Sequence, residues 1–254
     1  VCKPTKQKIF HKKFIDAGQL VAMVNDGTHM GADVLQDAQA METQNRGIEL
    51  ALFLTLPATV AFLVVAEPIV RGLFQYGRFT AEDAMRCGWA LSAFSIGLPS
   101  YVLVKVLTPG YYARGDTKTP VRYAMLSILI NIAGNLAMIP TLGHIGPPLA
   151  TALSSTVNVA MLYTTLVKRG HFAADAGLRR RIPRLALAAL IMGAALWAGE
   201  DLLDPWLTGT MFQRYLALAL LVGAGVALYG LASFVTGAYR LSDIKALMRR
   251  KNAN

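Results

Sequence analysis

Lys105 is the residue whose placement most demands a chemical explanation. It is the one charged side chain in the run from Cys87 to Ala113. A charge at the centre of a bilayer-spanning helix costs about 2.5–3.5 kcal/mol on the insertion scale, which makes such a residue a functional-site candidate. Two uses stay open. The ammonium can meet an anionic ligand in a wet cavity, or it can snorkel to nearby headgroups past the helix break expected at Pro109 and Gly110. Both hold at once if the helix lines a cavity open to the cytoplasm. Beyond the break lie Arg114, Asp116, Lys118 and Arg122. Arginine and lysine can clamp a phosphate through charge-assisted hydrogen bonds. The alternative is a basic loop with a turn at Asp116 and Thr117. Further on, Asn131 and Asn135 stand four apart and share a helix face. Thr151, Ser154, Ser155 and Asn158 follow on the next apolar segment. Such groups can link neighbouring helices, or their oxygens can line a site for a hard cation.

Other chemistries lack their residues. Cys2 and Cys87 are far apart and make no CxxC, and His11, His29, His144 and His171 fall in no paired-ligand pattern. There is no glycine-rich phosphate loop, nucleophile elbow or paired-carboxylate motif in the apolar part. The expectation is no enzyme, no metal site and no cofactor.

These residues need elements that can sit in lipid. The chain has 254 residues, 54% hydrophobic and 16% charged, with mean hydropathy +0.43. Soluble domains carry about 25% charged residues, so the composition indicates a membrane protein. Six apolar segments follow Gly47: 50–66 with a kink at Pro57, 87–113, 123–142, 145–167, one from about 182 to 199, and 215–239. A crossing helix needs about 20 residues. Membrane strands would alternate apolar and polar over about 10 residues, and these runs do not. The expected fold is all-α, a polytopic bundle of six transmembrane helices. Residues 32–46 are expected to be helical, and 67–86 to hold a short interfacial helix. Ala219, Gly223 and Ala227 form a small-residue ridge suited to close helix contact, or to a shallow groove for a lipid tail.

The net charge of +10 is explained by its distribution and not by nucleic acid. Of 25 Lys and Arg residues, 20 fall on one side of the six spans and four on the other, leaving Lys105 within a span. The positive-inside rule then puts both termini in the cytoplasm. The N-terminus lacks a signal-type apolar run, so the first span is expected to act as its own insertion signal. The expected divisions are a polar segment at 1–46, a four-helix unit at 47–168, a basic loop at 169–181, a last helix pair at 182–239 and a basic tail at 240–254.

The run LVKVLTPGYYARGDTKTPVR resembles a VKVLAPGFYAR-D-TPV motif of the MurJ (MviN) lipid II flippases. TQNRGIELALFLTLPA at 43–58, EPIVRGLFQYGRFTAEDA at 67–84 and FSIGLP at 94–99 support it. The likeness runs from about 38 to 250 and is to the last six spans of a family that normally has fourteen. It implies one lobe of a two-lobed flippase in the bacterial inner membrane. The whole would move undecaprenyl-linked peptidoglycan precursor, lipid II, from the cytoplasmic to the periplasmic leaflet. Lys105, with Arg114 and Arg122, would face the substrate cavity. The last two spans would form the groove for the polyprenyl tail. Some members bind sodium near the positions of Asn131 and Asn135, so coupling to Na+ or to membrane potential is implied. Trp89 stands where some relatives place an arginine, and the first lobe is absent, so a partner lobe, or a fragment or aberrant fusion, is implied. Alternatives are another polysaccharide or drug exporter of this architecture, an ATP-driven pump remnant, and a non-transporting fragment. GQLVAMVNDGTHMGADVLQDAQ, within the first residues, is faintly similar to the hinge of P-type ATPase phosphorylation domains. Asn25 replaces a glycine there, Met30 replaces an aspartate, and no DKTG is present, which fits a non-functional graft over residues 1–37.

Overall fold

The structure, a computed structural model, describes residues 29–207 and 209–237. Most of the ATPase-like stretch, the basic start and the tail at 240–254 lie outside the described residues.

The first helix, α1 (His29–Phe74), runs from the polar segment straight into the first apolar span. The helix expected over 32–46 is therefore not separate, and position 46 marks no boundary. Pro57 and Pro68 both lie within α1, but the only non-helical residue in it is Val65, with φ −110° and ψ 20°. A proline removes the N–H that would serve the carbonyl four residues earlier. At Pro57 that carbonyl is Phe53, and the Tyr229 hydroxyl donates to it at 2.9 Å. The freed acceptor is satisfied and the helix holds. The kink expected at Pro57 lies instead three residues ahead of Pro68.

Next come α2 (Ala81–Ser95) and α3 (Leu98–Tyr112). Thr80 and Asp83 form a capping box at the start of α2. The second span, expected as one helix over 87–113, is thus two helices divided at Ile96 and Gly97. Pro99 sits in the first turn of α3, where its missing N–H costs nothing. The break expected at Pro109 and Gly110 does not occur, because α3 continues through both to Tyr112. Gly110 has a packing role instead: a Cβ there would come within 2.6 Å of Gln44 Nε2, and that amide reaches the Leu107 carbonyl at 3.4 Å. The interfacial helix expected in 67–86 is absent as a unit. Its residues finish α1 and open α2.

The remaining elements are α4 (Lys118–Leu142), a 3-10 turn (Gly143–Ile145), α5 (Gly146–Lys168), α6 (Ala176–Leu207) and α7 (Met211–Val235). Gly143, at φ +55°, turns the chain back so that α4 and α5 form a hairpin. Five stretches are long and apolar enough to cross a membrane, and one of them, Lys118–Lys168, is this hairpin. With the two arms of the hairpin counted separately, the described residues hold six stretches of a length and hydropathy suited to crossing, all helical. The basic run Arg179–Arg181 lies in the first turns of α6, so the connecting loop is shorter than 169–181.

Helix α1 is the hub and packs against α2, α3, α6 and α7. One core cluster joins Ile48 and Leu52 to Leu107, Tyr111, Leu162 and Phe172. A second joins Val65 to Ala188, Met192, Leu196, Leu221 and Tyr229. The ridge Ala219, Gly223 and Ala227 faces outward, and nothing lies within 4 Å of a Cβ at Gly223. The packing face of α7 is Leu218, Leu221, Gly225 and Tyr229. Both faces of α7 are apolar, because lipid selects for that as a protein core does.

Candidate functional site: the basic end of the bundle

The C-terminal ends of α3 and α5 and the N-terminal ends of α4 and α6 meet at one end of the bundle, joined by backbone and side-chain contacts. Asp116 begins α4. Its carboxylate accepts from the Thr119 N–H at 3.0 Å and from the Thr119 hydroxyl at 2.6 Å. Arg169, just past α5, bonds the same carboxylate at 2.5 Å and the Thr119 hydroxyl at 3.2 Å. These bonds, the Thr119 hydroxyl first, hold the Asp116 carboxyl well below the usual carboxylate range. They in turn raise the Arg169 pKa. The Arg169 guanidinium also lies 6.0 Å from the centre of the Tyr111 ring, and the Tyr111 hydroxyl donates to the Leu162 carbonyl at 2.6 Å. Tyr123 and Thr165 share a hydroxyl bond of 2.8 Å. The result is a polar latch between the two interhelical connections.

Arg114 is half-buried and bonds the carbonyls of Gly110 and His171, at 2.9 and 3.5 Å. It caps the end of α3 and holds the loop after α5. Arg122 is exposed in the first turns of α4. Lys105 is exposed on α3, on the face that also carries Pro109 and Tyr112 and opposite buried Leu107 and Tyr111. Among the described residues the Lys105 and Arg122 side chains have no hydrogen-bond or ion-pair partner.

Asn131 and Asn135 lie on the seam between α4 and α5. Asn131 Nδ2 donates to Thr151 Oγ1 at 3.0 Å and lies 3.4 Å from Ser154 Oγ. Asn135 donates to Asn131 Oδ1 at 3.0 Å, and Ser127 donates to the Ser154 carbonyl at 2.9 Å. This is an interhelical ladder. Its one spare acceptor is Asn135 Oδ1, buried without a partner among the described residues. No cluster of three or more His, Cys, Asp or Glu that could hold a metal occurs among the described residues.

Sequence reasoning missed three features. Glu49 on α1 pairs with Arg181 on α6, and Glu49 is only 12% exposed. Gln44 fills the notch at Gly110. Arg169 closes the latch on Asp116 across 53 positions. The one available signal was that Glu49 and Asp116 are isolated acids beside apolar runs, which demand nearby cations.

The comparisons with known proteins agree on one family. The family described as Lipid II flippase MurJ matches residues 32–217. The chain belongs to this family. A probable lipid II flippase MurJ of Rhizobium meliloti is 41% identical over 84% of this chain and 40% of its own length. One from Vibrio cholerae is 40% identical over 80% of this chain and 39% of its own length. Among solved structures, a lipid II flippase MurJ in an inward closed conformation superposes with a TM-score of 0.63 at 25% identity, covering 77% of this chain and 39% of that one. The chain thus spans about 40% of the length of the curated relatives it matches. The family is one of membrane transporters and is not an enzyme family, and its members account for the multi-pass architecture seen here.

Proposed function

We propose that this chain is the second lobe of a lipid II flippase and acts with a first lobe. The pair would carry the polyprenyl-linked peptidoglycan precursor from the cytoplasmic to the periplasmic leaflet of the bacterial inner membrane. The observation that carries this is the match of a six-crossing helical unit to about 40% of full-length relatives. Two lobes rocking about a central site give alternating access, which one lobe cannot. Lys105 supports the reading because its ammonium stands unpaired on a face that no other described helix covers. It would meet the diphosphate of the head group, with Arg122 nearer the entrance and Arg114 shaping the loop. The apolar groove between α6 and α7 would hold the tail. No catalytic step is required, and both termini would lie in the cytoplasm by the positive-inside rule. Membrane potential, worth about 2.3 kcal/mol per charge per 100 mV, or sodium at Asn131 and Asn135 would bias the cycle.

Complementation of a flippase-depleted strain tests it. Rescue is expected only with a co-expressed first lobe, and Lys105→Ala should abolish it without lowering the amount of protein in the membrane. Failure in both formats would leave an inert module.

A further inference from the structure

A cavity of about 560 Å³ opens at the basic end between α1, α3, α5 and the start of α6. Leu52, Leu103, Val159, Tyr163, Phe172 and Ile182 give it an apolar wall, and Arg179 is the one charged residue that lines it. Its volume falls within the range of small-ligand sites. One side is the short strap between α5 and α6, and that strap is fixed. Asn45 Nδ2 bonds the Ala173 carbonyl at 3.0 Å, Arg114 reaches the His171 carbonyl, and Asp175 accepts from the Leu178 N–H at 2.6 Å. That side of the cavity is therefore held in place by hydrogen bonds.

The charges around it are unequal. Arg169 is neutralised by Asp116, Arg181 by Glu49, and Arg114 is spent on carbonyls. The Arg179 guanidinium has no ion-pair or hydrogen-bond partner among the described residues, and it is exposed where it lines the cavity. A guanidinium without a carboxylate suits a phosphate, which its planar fork binds in bidentate fashion. The groove between α6 and α7 differs: about 250 Å³, lined by Leu196, Leu203, Leu221 and Leu228 among others and by no charged residue.

We propose that the larger cavity is a binding site for an anionic phospholipid, with one acyl chain in the cavity and the phosphate on Arg179. A zwitterionic lipid brings its own cation to the headgroup and gains less from the same arginine. The site is distinct from the surface around Lys105 and does not depend on transport.

Native mass spectrometry of the full chain in detergent, titrated with dioleoylphosphatidylglycerol or dioleoylphosphatidylcholine, tests this. The first phosphatidylglycerol bound should be favoured about fivefold, the factor expected for one arginine near an anionic headgroup. Arg179→Gln should remove the preference, and Arg180→Gln, on the same basic run but outside the cavity, should keep it. Ala173→Trp, which plugs the opening, should weaken the first binding of both lipids; if it lowers the melting temperature, Arg179→Gln alone decides. Equal binding of the two lipids, or a preference that survives Arg179→Gln, would overturn the proposal. Displacement of phosphatidylglycerol by undecaprenyl phosphate at equal concentration would reassign the cavity to a polyprenyl chain and also overturn it.

Discussion

Helices α1 and α4 have nearly the same apolar character and opposite surroundings. Helix α1 is enclosed by four others. Helix α4 packs on α5 and barely touches α3, and Pro120 is its only buried residue. Met125, Leu129 and Leu136 on α4 are each more than 60% exposed. In water such a helix would be an aggregation hazard. In lipid an apolar surface is neutral, so association is set by close packing and polar contacts. The two helices differ in those. Helix α1 meets its neighbours at glycines: a Cβ at Gly88 would lie 2.8 Å from Glu67 Cα, and one at Gly193 would lie 2.4 Å from Val60 Cγ1. Helix α4 has such contact on one side only, with α5: Tyr123, Ser127 and Asn131 bond across that seam, a Cβ at Gly134 would lie 3.0 Å from Ala150 Cβ, and one at Gly146, beside the turn, would lie 2.9 Å from the Met138 carbonyl carbon.

The largest effect should come from closing the approach on α1. In Gly88→Leu the new side chain meets backbone, which cannot yield as a rotamer can. Overpacking costs about 1–3 kcal/mol and occasionally more, and this site belongs at the upper end. Gly223→Leu on the outward ridge of α7 should stay within about 0.5 kcal/mol of the parent. Unfolding of purified protein in mixed micelles reads both. Equal losses would mean that α1 is no more tightly enclosed than the outer face of α7.

A smaller loss should follow from the acceptor freed by Pro57. Tyr229→Phe removes the hydroxyl that donates to the Phe53 carbonyl, at a cost of about 0.5–1.5 kcal/mol for one lost hydrogen bond. Pro57→Ala restores the backbone N–H to that carbonyl. The double variant should then lose less than Tyr229→Phe alone. Additive effects would show that the hydroxyl does not stand in for the missing amide.

The seam of α4 should be weaker still. Asn131→Leu removes its bonds to α5, and polar interhelical contacts in membranes average about 0.6 kcal/mol. A loss as large as that of Gly88→Leu would erase the contrast between the two helices.

The contrast also explains what was legible in the chain. The crossings follow from hydropathy, which lipid imposes on every face alike. For the same reason hydropathy could not tell which face of α7 packs, and the ridge at Ala219, Gly223 and Ala227 left both close helix contact and a lipid groove open. Helix ends were harder than helices. Gly97 and Pro99 carried the signal for the start of α3, while Pro109 and Gly110 carried a false one, because Gln44 from α1 fits at Gly110 and the helix goes on. Lys105 was visible as a lone charge. Arg114 was visible too, but its role as a cap was not, since its acceptors are carbonyls that no sequence pattern marks. The latch of Asp116 and Arg169 is a contact between two loops and exists only once the hairpin of α4 and α5 has formed.

That latch offers the smallest and most selective test, because it anchors the exposed helix at its base and titrates. The Thr119 hydroxyl, Arg169 and the Thr119 N–H all bind the charged form of Asp116, so its pKa in the folded chain lies below the value of about 3.9 in an unfolded one. The unfolded state therefore takes up the proton first as the pH falls. The stabilisation is complete at neutral pH, begins to fade near the unfolded value, and is lost as the pH drops through the lower folded one. Asp116→Asn removes the titrating group, so its unfolding should respond less to acid between about pH 5 and 2 than that of the parent. Arg169→Gln removes one of the bonds and should shift the parent's acid loss upward in pH, toward the unfolded value. If Asp116→Asn and the parent lose stability in parallel over that range, the carboxylate is not held by these bonds, and α4 is anchored by its seam with α5 alone.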